Sequence, residues 1–206
     1  VQAEGRVLLQ NKNLPLKKGG KITLLGSASA DGAFYISGGG SAAIDTTLKP
    51  SLESVFNDAG YTLNPVMLDF YSEGAGKSTA GQGSNYVGEA PQSAYTSTEF
   101  NSWKDYNDAA IVFIGRMGQE GKDVSTSTYE DPTKTMLEFS DNEMALIDAA
   151  LKNFDNVVVL LNTMNPMECG PLLDKNVSIL WIGAGGQQGL RAIPKLLNGT
   201  YNPSGR

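Results

Sequence analysis

Four short, nearly continuous apolar runs constrain the fold of this chain more than any other feature: KITLLG at 21–26, AAIVFIG at 109–115, NVVVLLN at 156–162 and VSILWIG at 177–183. Each is rich in β-branched residues and lacks the alternation of a half-exposed strand. That pattern predicts strands buried on both faces of a parallel sheet. A weaker run, YTLNPVM at 61–67, predicts another strand. Pro65 places it near an end or edge, because proline cannot donate to a ladder.

Helical patterns separate these runs. In PSLESVFNDAG, Leu52, Val55, Phe56 and Ala59 recur at helical spacing, with Pro50 suited to a first turn and Gly60 to a C-cap. SDNEMALIDAALKNF opens on the capping-box pair Ser140 and Glu143 and aligns Met144, Ile147, Leu151 and Phe154. GGQQGLRAIPKLLNG predicts a third helix ending at Asn198-Gly199, shortened or kinked by Pro194. Alternating strands and helices imply an open, mostly parallel β-sheet with helices on both faces, a flavodoxin-like α/β sandwich spanning residues 1–206 as a single domain. Residues 68–107, rich in Gly, Ser and Thr, break the rhythm. Tyr86, Tyr95, Phe100 and Trp103 give that stretch something to bury, so it is expected to be an ordered excursion that contacts another domain.

Composition excludes several function classes. A net charge of −6 argues against nucleic acid or an anionic membrane as partner, since both select basic surfaces. No apolar run reaches the roughly 18 residues that span a bilayer. No signal peptide is visible, and the absence of an initial methionine is compatible with removal of an upstream leader or domain. With no histidine, Ser-His-Asp and Cys-His triads and His-based zinc sites are impossible within the chain. Acid–base chemistry must rest on carboxylates, lysine or tyrosine. The one cysteine, Cys169, reads as a buried thiol rather than a nucleophile.

Three glycine-rich segments invite chemistry. GAGKST at 74–79 lacks the leading glycine of a phosphate loop, since Tyr71 occupies that position, and no strong strand feeds it. GGGSAA at 38–43 and GAGGQQG at 183–189 do not satisfy G-x-G-x-x-G, and tight strand-to-helix turns account for either alone. Both nevertheless follow strong strands, as does the third candidate, IGRMGQEGKDV at 114–124. There Glu120 lies between Gly118 and Gly121, with Asp123 nearby. All three loops are expected at the carboxyl edge of the sheet, where open α/β sheets place ligands. Local sequence supports an acid at a sheet-end loop, with no second carboxylate placed opposite it.

Taken in order, AEGRVLLQNKNLPL, KITLLGSAS, GGGSAA, IGRMGQEGKDV, NVVVLLNTMNPME, ILWIGAGGQQGLRAIPKLLNG and YNPSGR resemble the α/β-sandwich domain of family three glycoside hydrolases, which include β-glucosidases. The resemblance runs from residue 3 to 206. It implies an active site shared with a (β/α)-barrel domain that this chain lacks, the barrel supplying an aspartate nucleophile and most sugar contacts. It aligns the family's S/G-G-E-G-x-D motif with GQEGKD at 118–123. Glu120 then corresponds to the acid/base, while Gln119, Gly121 and Asp123 bind substrate or position the loop. Gln119 replaces the usual glycine, and Lys122 stands where tyrosine or a small polar residue is common. The implied substrate is a terminal β-linked sugar of a β-glycoside or oligosaccharide. No cofactor or metal is expected, and the isolated domain is expected to be inactive. A non-catalytic structural or carbohydrate-binding α/β module is the alternative.

Overall fold

A computed structural model describes residues 2–37, 41, 43–78, 87–118, 120–121 and 132–205. Among these, β1 (Val7–Gln10), β2 (Lys21–Leu25), β3 (Thr62–Leu63), β4 (Ala109–Arg116), β5 (Val157–Thr163) and β6 (Ser178–Trp181) form one sheet in the order β1-β6-β5-β4-β2-β3. All neighbours are parallel except β1, which runs antiparallel to β6. Without β1, the order is that of a flavodoxin-like sheet, with its switch point between β2 and β4. The four strong apolar runs are the four inner strands.

Their side chains divide by the two-residue period of a strand. Ile22, Leu24, Ile111, Phe113, Val158, Leu160 and Leu180 enter one core. Leu25, Ala110, Val112, Ile114, Val159, Leu161 and Ile179 enter the other. The continuous apolar character of the runs thus reflects two buried faces. Helices α1 (Leu52–Asp58) and α5 (Ile193–Leu197) cover the first face. The second is covered by α2 (Pro65–Ser72), α3 (Ser97–Asp105) and α4 (Asp141–Asn153).

Local signals explain most boundaries. Ser51 caps α1 through its side chain, and Gly60 follows at φ 87°. Pro50 therefore lies just outside the helix. Ser140 and Glu143 form the expected capping box of α4, whose fully buried positions include Leu146, Ile147 and Ala150. Met144 and Leu151 lie only partly buried at its flank. Pro194 stands in the first turn of α5, preceded by a 3-10 turn over Gly189–Ala192, so the third helix is shortened as expected.

The 61–67 strand needs correction. Only Thr62–Leu63 pair with β2, at the sheet edge. Asn64 then accepts hydrogen bonds from the Val66 and Met67 amides, and Pro65 starts α2. A capping asparagine followed by proline outweighed the strand pattern. The 68–107 stretch also has more structure than its composition suggests. It holds the end of α2 and, through a Thr96–Glu99 capping box, the whole of α3. Tyr95 and Trp103 are buried and Phe100 partly so. They stack with Phe70 and Phe154 at centroid distances of 4.7 to 6.3 Å. Tyr95, Phe100 and Trp103 serve this domain's own core; Tyr86 lies outside the described residues. Gly76 of GAGKST packs on Phe70 so closely that a Cβ would come within 2.2 Å of the ring. Its glycine is a packing requirement, in keeping with the rejection of a phosphate loop.

Candidate functional site

Strands β2, β4, β5 and β6 run in one direction, so the chains leaving them meet along one edge. The turn out of β2 is tight: Gly26 has φ 93°, and a Cβ there would lie 2.3 Å from the Phe113 carbonyl oxygen. Glycine is required on both counts. Beyond it, the chain is fastened to the ends of β5 and β6 by Asn162. The Tyr35 amide donates to Asn162 Oδ1 at 2.6 Å, and Asn162 Nδ2 donates to the Tyr35 and Gly183 carbonyls at 2.8 Å. The Gly186 amide adds a bond to the Ile36 carbonyl at 2.7 Å. Gln187 and Gln188 donate to the Asp45 and Leu48 carbonyls. The glycine-rich loop after β6 therefore braces the long loop after β2.

That bracing brings Ser41 of the second glycine-rich segment to Glu120. The Ser41 amide and hydroxyl both donate to Glu120 Oε2, at 3.2 and 3.1 Å. These two donors hold the Glu120 carboxyl below its ordinary pKa, against a small opposing effect of burial. Glu120 is otherwise exposed. Gly121 follows at φ 73°, with open space where a side chain would project. Its role is the left-handed turn rather than close packing. Gln119 and Asp123 lie outside the described residues, as do Gly38–Gly40 and Ala42 of the facing loop.

Beneath the turn, the strand ends in a buried charge. Arg116 has 0% exposure and meets Glu143 in a two-pronged ion pair, with both N–O distances 2.7 Å. Toward β2, Glu89 is also buried. It accepts hydrogen bonds from the Ser27 amide at 2.7 Å, the Ala90 amide at 3.0 Å and the Tyr95 hydroxyl at 2.9 Å. Burial pushes Glu89 up to about 8, with the charge of Glu143 adding to the rise and the hydrogen bonds opposing it. The Tyr71 and Tyr95 hydroxyls share a 2.6 Å contact and are both raised, first by burial.

A cleft of about 510 Å³ opens between α1 and α2, lined by Asp31, Leu52, Asp69, Tyr71 and Lys77 among others; Glu120 is not part of it. Cys169 is partly rather than fully buried, and burial raises its thiol. Among the described residues, no group of three or more His, Cys, Asp or Glu side chains is placed to hold a metal. No helix among them is long and apolar enough to cross a membrane.

Glu120 is thus a carboxylate presented outward on a braced edge, able to exchange a proton with a group that arrives from outside the domain. Sequence reasoning singled out Glu120 and both glycine-rich segments but not the partners Ser41, Asn162, Arg116 and Glu89. The available signals were an arginine closing an apolar run and a glutamate in a capping box.

The family model for the glycosyl hydrolase family 3 C-terminal domain matches residues 6–206. Thermostable beta-glucosidase B of Acetivibrio thermocellus is 32% identical over 209 residues, covering 99% of this chain and 24% of that protein. A beta-glucosidase of Ruminococcus albus is 26% identical over 212 residues, covering 100% of this chain and 22% of that protein. Among solved structures, beta-glucosidase 3B from Thermotoga neapolitana in complex with glucose superposes with a TM-score of 0.80 at 26% identity. That match covers 100% of this chain and 29% of the other. The chain therefore spans about a quarter of the length of these relatives, which carry other domains besides this one.

Proposed function

Because the chain belongs to the glycosyl hydrolase family 3 C-terminal domain family, we propose that it contributes the acid/base, Glu120, to a retaining β-glucosidase whose nucleophile sits on a (β/α)-barrel domain elsewhere in the enzyme. The observation that carries this reading is the position of Glu120: an exposed carboxyl past the end of β4, fastened by Ser41 and facing away from its own core. The β-glucosidases among its relatives support a β-glucoside as substrate.

In the first step, Glu120 donates its proton to the glycosidic oxygen as an aspartate of the partner domain attacks the anomeric carbon. In the second, the resulting carboxylate takes a proton from the water that releases the sugar. Retention places the two carboxyl groups about 5–5.5 Å apart. Gln119, Gly121 and Asp123 bind substrate or position the loop in this reading. A general acid works best with a pKa near the working pH, yet Ser41 favours the ionised form. Docking of the barrel supplies what this domain lacks: exclusion of water and the negative charge of the nucleophile, both of which raise a carboxyl pKa. The isolated chain is accordingly inactive.

The test is Glu120→Ala in the full-length enzyme. Loss of kcat/KM on substrates with poor leaving groups by about 10²–10⁴-fold is expected. Activated aryl glucosides should retain glycosylation, and azide should restore turnover by forming the glucosyl azide. Unchanged kinetics on poor leaving groups would overturn the assignment and favour a non-catalytic module.

A further inference from the structure

The apolar run of β4 ends in Arg116, four residues before Glu120, where a charged residue should turn toward water. Instead its guanidinium is fully buried and makes five hydrogen bonds to the described residues. Nη1 donates to the Gly115 carbonyl at 2.9 Å and to Glu143 Oε1 at 2.7 Å. Nη2 donates to the Glu138 carbonyl at 3.1 Å and to Glu143 Oε2 at 2.7 Å, and Nε donates to the Met136 carbonyl at 3.1 Å. Glu143 Oε2 also accepts the Ser140 amide at 2.9 Å. One planar cation at the strand end therefore grips the chain as it returns toward α4. Buried Met117, Met136 and Phe139 lie in the two stems it joins.

A buried ion pair is weak evidence of stabilisation, because desolvation offsets the attraction and apolar replacements often serve as well. What apolar replacements cannot reproduce is direction. The forked guanidinium fixes the carbonyls of residues 136 and 138 and the Glu143 carboxylate in one plane, which a lysine ammonium cannot do. We propose that Arg116 is a positioning residue for Glu120: by tying the end of β4 to residues 136–143 at the start of α4, it sets where the Glu120 carboxyl meets the glycosidic oxygen. The inference rests on the acid/base role given to Glu120 above.

The experiment uses the full-length enzyme and a series of aryl β-glucosides, from dinitrophenyl to unactivated phenyl leaving groups. In Arg116→Lys, kcat/KM on the poorest leaving groups should fall about 10²-fold, the scale of a misplaced reacting group. Dinitrophenyl glucoside should lose far less, and azide should raise its turnover. An equal loss on every substrate, following the folded fraction measured by circular dichroism, would reduce Arg116 to a structural residue and overturn the proposal. Should Arg116→Lys fail to fold, Arg116→Met/Glu143→Met removes both charges together and is read in the same series with the same two outcomes. Glu120→Ala run in parallel separates the two ideas. If it shows no leaving-group dependence, the acid/base reading itself fails. If it does and the Arg116 variants do not, only the positioning role fails.

Discussion

Glu89 and Glu120 are the same side chain at neighbouring points of one sheet edge, and the fold pushes them in opposite directions. Glu89, held against the end of β2, has 6% exposure and is raised to about 8 by burial. Glu120, past the end of β4, is exposed and lowered by the Ser41 amide and hydroxyl. A raised carboxyl pKa is a common mark of a general acid, yet within this domain it falls on the group no substrate can reach. Burial that raises a carboxyl also seals it. In the proposed mechanism a reachable acid needs an environment that closes only when substrate is present, and the partner domain would supply it.

The largest expected effect separates the two by stability. Glu89→Ala strands two buried donors, the Ser27 and Ala90 amides, and leaves the Tyr95 hydroxyl only its contact with Tyr71. At about 1–3 kcal/mol for each unsatisfied group, the chain should lose at least about 2 kcal/mol in urea unfolding. Glu120→Ala removes an exposed group whose partner among the described residues is a loop serine and should change stability by no more than about 0.5 kcal/mol. Similar losses for both variants would erase the distinction.

Next in size is the pH dependence of stability. The folded-state pKa of Glu89, about 8, lies above its ordinary value of 4.5. The folded chain therefore binds more protons than the unfolded chain between those limits, and the stability this group contributes is present below about pH 4.5 and lost as pH rises through about 8. The slope from one such group reaches at most about 1.4 kcal/mol per pH unit. Urea midpoints at pH 5, 6, 7 and 8 should decline more steeply for the native chain than for Glu89→Gln, whose amide does not titrate. Parallel profiles would show that Glu89 is not the group responsible.

The contrast also marks what the sequence made legible. Continuous apolar runs announced the inner strands because burial on both faces removes polar residues from every position. Glu120 stood out because glycines and a strand end framed it, and the resemblance to the family motif supplied the role proposed for it. Glu89 offered no such frame. Its position in GEAP looks like any loop acid, and only the folding of residues 87–95 back over the end of β2 buries it. Ser41 and Glu120 are 79 positions apart in sequence, so no local pattern links them. Arg116 was visible as a charge closing an apolar run, but whether it escapes to water or meets Glu143 depends on where α4 packs. Pairings across the fold are set by tertiary geometry; periodicity reports only which face is buried.

The smallest effect tests how much of the contrast survives in the assembled enzyme. Ser41→Ala removes the hydroxyl donor to Glu120 Oε2 and leaves the amide donor in place. Hydrogen bonds to a carboxylate favour its charged form, so losing one raises the Glu120 pKa. In the proposed mechanism Glu120 must be protonated to begin the reaction, and the alkaline limb of kcat/KM then reports that group in the free enzyme. In the full-length enzyme, Ser41→Ala should therefore shift the alkaline limb upward, with stability changed by no more than about 0.5 kcal/mol. A limb that stays in place would mean that docking already breaks the Ser41 contact, so the partner domain both raises the acid's pKa and frees it from its tether. A downward shift would contradict the geometry outright, because no loss of a donor to a carboxylate makes it a stronger acid.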